Sequence, residues 1–224
     1  MFWKTCSRRS LKRSLPDCRS VGLFVVLVLL SATLSACGAS SPRHAEKFLS
    51  RHGIDSPTSQ AFTMCYGYGC RRSQYIELTA ADWDPVRELF TPLPADAEAE
   101  RAAIQGAVAL LEQKTGDVVG TKLDKGGSKM GLGNPYQLDC VDESLNTTNY
   151  LILMKNDGLL RFHDLRGPAT RGFFIAGWPH TTAAIMETEG GAAYAVDSWF
   201  FDNGVPPVIL PIAEWQGGWD PEDG

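Results

Sequence analysis

An α+β fold is predicted, and three observations carry the prediction. Helical spacing of apolar side chains runs through residues 95–114 and returns over residues 140–155. Short alternating runs, bounded by glycine, proline and asparagine turns, then fill residues 159–210. Helices first and strands second, without strict alternation, place helices against an antiparallel sheet.

The chain has 224 residues, and its start reads as a signal. Residues 1–20 carry Lys4, Arg8, Arg9, Lys12, Arg13 and Arg19 against Asp17 alone. An apolar run over 21–30 follows, then small residues to Cys37. A basic start, a short apolar core and a small-residue end make a secretory signal over residues 1–36. The alternative, an uncleaved anchor, needs about 20 apolar residues. Leu34-Ser35-Ala36-Cys37 resembles a bacterial lipobox, which implies acylation of Cys37 and cleavage before it. Gly38 resembles the outer-membrane sorting pattern, so the resemblance implies a lipid-anchored envelope protein facing the periplasm. Ser7-Arg8-Arg9-Ser10-Leu11-Lys12 also resembles a twin-arginine signal, although it lies far from the apolar core.

Removing residues 1–36 leaves 15 basic and 25 acidic side chains, about ten net negative charges. That balance argues against nucleic acid as a partner, because phosphate binding needs basic patches. No zinc spacing, phosphate loop or internal repeat is present, and no cofactor or metal is expected.

Residues 37–60, rich in serine, proline and small polar side chains, read as a tether with a short helix at 45–52. The domain is expected over 61–224. Residues 61–79 read as a hairpin ending in the strand 74–78. Thr79 and Asp82 form a capping box for a helix reaching Phe90. After Pro92-Leu93-Pro94, the helix over 95–114 turns Ile104, Ala107, Val108 and Leu111 inward and ends at Gly116. Residues 121–137 are glycine-rich and irregular, and a loop of that length in a compact domain is more often functional or mobile than not. Asp139, with Asp142 as box partner, caps a helix from Cys140 to about Lys155 whose buried side is Tyr150, Leu151, Leu153 and Met154. Strands are then expected at 159–164, 172–176, 179–187, 192–199 and 207–210, with turns at Gly190-Gly191 and Asn203-Gly204.

Cysteine usage singles out one thiol. Cys6 and Cys18 leave with the signal, and Cys37 is the lipidation candidate. Cys65-Tyr66-Gly67-Tyr68-Gly69-Cys70 is a tight loop, read as a local disulfide in an oxidising compartment. A redox-active pair is the weaker reading, since the spacing is not Cys-x-x-Cys. Cys140 remains, either a buried inert thiol or a nucleophile. A helix start favours thiolate, whereas Asp139 and Asp142 oppose it. His180 and Asp197 stand on two strands joined by a hairpin near residue 190, so they are expected as neighbours. Thiol, imidazole and carboxylate in that order are the parts of an activated cysteine nucleophile. His163 reads as a polar-face histidine. Trp178 and Trp199, flanking His180 and Asp197, read as core packing, a water shield or the lining of a groove.

Three short motifs carry a resemblance: Asp139-Cys140-Val141-Asp142-Glu143, Pro179-His180-Thr181-Thr182-Ala183 and Val196-Asp197-Ser198-Trp199-Phe200. Over residues 100–205 the chain resembles bacterial transglutaminase-like cysteine proteinases, of papain-like fold. The resemblance implies Cys140 as nucleophile, His180 as base and Asp197 as orienter. Leu138 departs from the family pattern, which often has glycine there. Gln137 is the candidate oxyanion donor beside the Cys140 backbone N–H. The implied activity is amide or peptide cleavage through an acyl-enzyme, with protein or peptidoglycan-peptide substrates, or acyl transfer to an amine. A cell-wall endopeptidase of another papain-like type usually has a second histidine where Asp197 stands. The rival class is a non-catalytic lipoprotein that binds or assembles envelope components. A Cys37–Cys140 disulfide would exclude the enzyme.

Overall fold

The computed structural model describes residues 42–58, 60–128, 134–172 and 179–221. In chain order the elements are α1 (Pro42–Arg51), β1 (Ala61–Tyr66), β2 (Arg72–Glu77), α2 (Ala80–Glu88), α3 (Ala97–Val119) and α4 (Cys140–Asn156). Then come β3 (His163–Arg171), β4 (His180–Glu187), β5 (Ala193–Asp197), β6 (Val208–Pro211) and α5 (Ile212–Gln216). The class is α+β: β1 and β2 form an antiparallel hairpin, and β3–β4–β5–β6 form a second antiparallel sheet in sequence order. These elements belong to one compact unit, Ser40–Gly224. The signal, Cys37 and most of the strand expected at 172–176 lie outside the described residues.

Helix α4 is the centre of the domain. It is buried on every side from Asp142 to Met154, the pattern of a helix enclosed by its neighbours. Its apolar residues join one core with Leu49 of α1, Met64 of β1, Trp83 of α2, Leu111 of α3 and Ile185 of β4. Its polar residues are spent on backbone. Asn146 accepts from Cys65 N–H at 2.8 Å and donates to Cys65 C=O at 2.9 Å, and Asn149 donates to Thr63 C=O at 2.9 Å. Two side-chain amides therefore dock the β1 edge onto the helix and give the buried Cys65 N–H and C=O and the Thr63 C=O their partners.

Three boundaries differ from the sequence reading. Ala45 and Leu49 of α1 are fully buried, so residues 42–58 belong to the folded unit rather than to a tether. Helix α3 runs past Gly116 to Val119, and Gly120 (φ 93°) is the left-handed residue that ends it. Gly116 instead makes room for Asn203, whose side chain would lie 3.0 Å from an added Cβ. Strand β3 begins at His163, near the end of the strand expected at 159–164, and continues through Gly167-Pro168 to Arg171. The register shift between Arg166 and Ala169 absorbs the proline on an edge strand, where its missing N–H is tolerated. Gly167 also lets α1 approach, since a Cβ there would stand 3.1 Å from His44 Cβ.

His163 is not on a polar face. It is fully buried, and its Nδ1 pairs with Glu100 Oε1 at 2.9 Å. Glu100 also takes the N–H groups of Arg161, Phe162 and His163, anchoring α3 to the start of the sheet.

Candidate active site

Cys140 is the first residue of α4. Asp139 has extended backbone, and its Oδ1 accepts from Val141 N–H at 3.0 Å and Asp142 N–H at 2.9 Å. Asp142 returns the bond to Asp139 N–H, which completes the predicted capping box. Asp142 holds a second object, the Cys65–Cys70 loop. The two cysteines are joined, and Gly67, Tyr68, Gly69 and Cys70 all have left-handed backbone. Such a run turns its N–H groups toward one point and makes an anion-binding concavity. Here the carboxyl of Asp142 sits in that concavity, accepting from Tyr68 N–H at 2.7 Å and Cys70 N–H at 2.6 Å, while burial raises its pKa to about 7. The disulfide loop is thus fastened to the helix turn that presents the thiol.

The segment entering α4 is held from the other side by Asp124. Its Oδ1 accepts from Leu138 N–H at 2.7 Å and from the Gln137 side-chain amide. Gln137 C=O accepts from Gly67 N–H at 3.0 Å. The candidate oxyanion residue therefore lies next to Asp124, bound to it.

His180 opens β4 and Asp197 closes β5, so the hairpin brings them together as expected. His180 Nε2 bonds Asp197 Oδ2 at 2.6 Å, with both side chains buried. That bond makes Nε2 the protonated nitrogen and leaves the lone pair of the neutral ring on Nδ1. Nδ1 is buried and has no hydrogen-bond partner among the described residues. The Cys140 thiol is close to the same place: it interacts with Thr181 N–H, the residue after His180, and with the Asp197 charge. It makes no hydrogen bond to His180.

Burial pushes the thiol up from 9 to about 11, and the Asp139 and Asp197 charges push the same way. The Thr181 N–H and its own N–H favour thiolate, less strongly. The resting thiol is therefore neutral.

Aromatic rings enclose the imidazole. Trp199, Phe200 and Trp215 lie with ring centroids 4.6, 5.5 and 5.3 Å from His180. Trp215 Nε1 donates to Asp197 Oδ2 at 2.7 Å. Trp199 N–H approaches Asp197 Oδ1 at 3.3 Å. Arg171, paired with His180 across β3 and β4, lies over the Trp215 ring at 4.6 Å and donates to the Trp215 and Trp219 carbonyls. Trp178 lies outside the described residues. The sequence reading missed Trp215, Phe200 and Arg171. The only signal was two tryptophans, Trp215 and Trp219, in a glycine-rich tail where an exposed segment would need neither.

Beneath the site lie carboxyls for which the described residues provide no ion-pair partner. Glu143 accepts from Ser198 Oγ at 2.9 Å, and Glu112 from Gly204 N–H at 3.0 Å. Burial raises Glu112 to about 8 and Asp124 to about 7, and raises Glu143 well above the usual range. Glu112 and Glu143 are therefore held toward the protonated form and tie α3 and α4 to the loop after β5. Among the described residues, no group of histidine, cysteine or carboxylate side chains is arranged to hold a metal ion, and no helix is long and apolar enough to cross a membrane.

No protein-family model, curated protein or solved structure matches this chain.

Proposed function

We propose that the chain is a thiol hydrolase that cleaves an amide or peptide bond through an acyl-enzyme on Cys140, on a papain-like, transglutaminase-like core. The observation that carries this reading is the His180–Asp197 bond through Nε2, which leaves Nδ1 buried and unpartnered among the described residues, on the strand whose Thr181 N–H meets the Cys140 thiol. In the first step the Cys140 proton passes to His180 Nδ1 as sulfur attacks the substrate carbonyl. Asp197 stabilises the imidazolium that forms. The Cys140 N–H, first of the helix, faces the developing oxyanion, with Gln137 as the second candidate donor. The C–N bond breaks, and the amine leaves with the proton from Nδ1. Water then attacks the thioester, His180 takes its proton, and the acid departs as the thiol is restored. An amine in place of water would give acyl transfer.

The lipobox resemblance supports anchoring through Cys37 to the envelope, where substrates are proteins or peptidoglycan peptides. The rival is a binding or assembly lipoprotein with an inert thiol, and the raised thiol pKa is the observation in its favour. The two are separated by mass spectrometry of protein treated with p-nitrophenyl acetate. The hydrolase is expected to show a burst of nitrophenol and one acetyl group on Cys140, both lost in Cys140→Ser and slowed in His180→Ala. Labelling of the wild type no faster than of Cys140→Ser would sink the reading.

A further inference from the structure

We propose that Trp215 is a positioning residue for this site: its indole N–H fixes the Asp197 carboxylate in the orientation that holds His180 by Nε2. The inference rests on the hydrolase reading above. Asp197 Oδ2 accepts two hydrogen bonds, from His180 Nε2 at 2.6 Å and from Trp215 Nε1 at 2.7 Å. Among the described residues, its other oxygen has only the long contact with Trp199 N–H at 3.3 Å. The last torsion of an aspartate is broad and nearly two-fold, so one donor alone leaves the carboxylate free to swing. A second donor on the same oxygen, from a different direction, removes that freedom.

The tryptophan is itself fixed. Trp215 is fully buried among Ala169, Ala184, Ala195, Leu210 and Ile212. Arg171 presses on its ring and binds its carbonyl, and Arg171 is the β3 partner of His180. A ring needed only to fill space has no use for the N–H, and phenylalanine would serve. The N–H is instead aimed at the atom that orients the base. Hydrogen bonds to a charged acceptor are the stronger kind, and orientation of a base is where small displacements are costly.

The test uses the full-length protein and p-nitrophenyl acetate as acyl donor, with kcat and KM for acylation read separately. Trp215→Phe keeps a ring and loses the N–H. It is expected to lower the acylation kcat on the order of tenfold at unchanged KM. In an Asp197→Ala background, the same change is expected to cost nothing further, since the carboxylate it acts through is gone. If the phenylalanine variant does not fold, 3-benzothienylalanine at position 215 preserves the shape without the N–H, and the same loss is expected. A wild-type rate in either variant overturns the inference. So does an equal loss in both Asp197 backgrounds, which would mark a purely structural role. If wild-type protein is acylated no faster than Cys140→Ser, the hydrolase reading falls and takes this inference with it; a reactive wild type with an indifferent Trp215→Phe sinks this inference alone.

Discussion

Raising the pH from about 5 to 8 is expected to destabilise the folded chain, because the buried carboxyls Glu112, Glu143, Asp124 and Asp142 are all raised by burial, and Glu112 illustrates the size of the effect. Burial lifts its carboxyl to about 8, the Asp124 charge adds to the shift, and the Gly204 N–H and Ser198 hydroxyl oppose it. An unfolded glutamate titrates near 4.3. Between those values the unfolded chain releases a proton that the folded chain keeps, so stability falls as pH rises. The slope is at most about 1.4 kcal/mol per pH unit for one group, and the window for Glu112 amounts to on the order of 4 kcal/mol. Glu143, raised by burial and by Glu112 itself, acts in the same direction. Glu100 works at the other end. Burial pushes it up, but His163 and the Arg161 and Phe162 N–H groups bring it net below the usual range. Its contribution is present above the usual glutamate pKa and is lost as pH falls, so the stability maximum is expected near pH 5. The assay is urea unfolding followed by tryptophan fluorescence across that range. Glu112→Gln can still accept from Gly204 N–H and cannot ionise, so its profile should be flatter and its stability at pH 8 higher. A wild-type profile level from pH 5 to 8, or a parallel one for Glu112→Gln, would refute the reasoning.

Three further outcomes are expected. Iodoacetamide at pH 8 should alkylate Cys140 on the order of 100-fold more slowly than an exposed thiol of ordinary pKa, because a rise from 9 to about 11 cuts the thiolate fraction by that factor. Fast labelling near neutrality, lost in His180→Ala, would instead reveal a preformed ion pair. Asn146→Ala leaves Cys65 N–H and C=O unpaired in the core and should cost about 2–4 kcal/mol by chemical denaturation; a cost indistinguishable from zero would mean water replaces the amide. Gly126→Ala would place a Cβ 2.3 Å from Phe200 C=O, so the loop after Asp197 must move. A stability loss of about 1–3 kcal/mol with reduced acylation is expected, and an unaffected variant would contradict the packing described for that loop.

Local rules made much of the site legible. The Thr79 and Asp139 caps, the hairpin joining His180 to Asp197 and the Cys65–Cys70 loop each follow from side chains a few residues apart. What escaped depends on partners distant in sequence. Helix α4 looked one-sided because Glu143, Asn146 and Asn149 are polar, yet each is buried against a backbone or hydroxyl group from β1 or the loop after β5. Helix α1 looked like tether because its three apolar core residues, Ala45, Phe48 and Leu49, are diluted by charge, and the close approach to β3 that Gly167 allows could not be read locally. Trp215 gave only the weak signal of a tryptophan in a glycine-rich tail, since its partner lies 18 residues back across a strand and a turn.

The same capping box that identifies Cys140 also helps to keep its thiol unactivated at rest. A helix start favours thiolate through its unpaired N–H groups. Here Asp139 takes two of them, at Val141 and Asp142, and brings a negative charge of its own to the first turn. Asp142 is fully buried and occupied with Tyr68 and Cys70. Burial is the larger cause of the raised thiol, and the Asp139 and Asp197 charges add to it. A hydrolase built this way cannot rely on a standing thiolate. Its proton has to move as the bond to carbon forms, which puts the demand on the orientation of His180 Nδ1, and therefore on Asp197 and the groups that hold it.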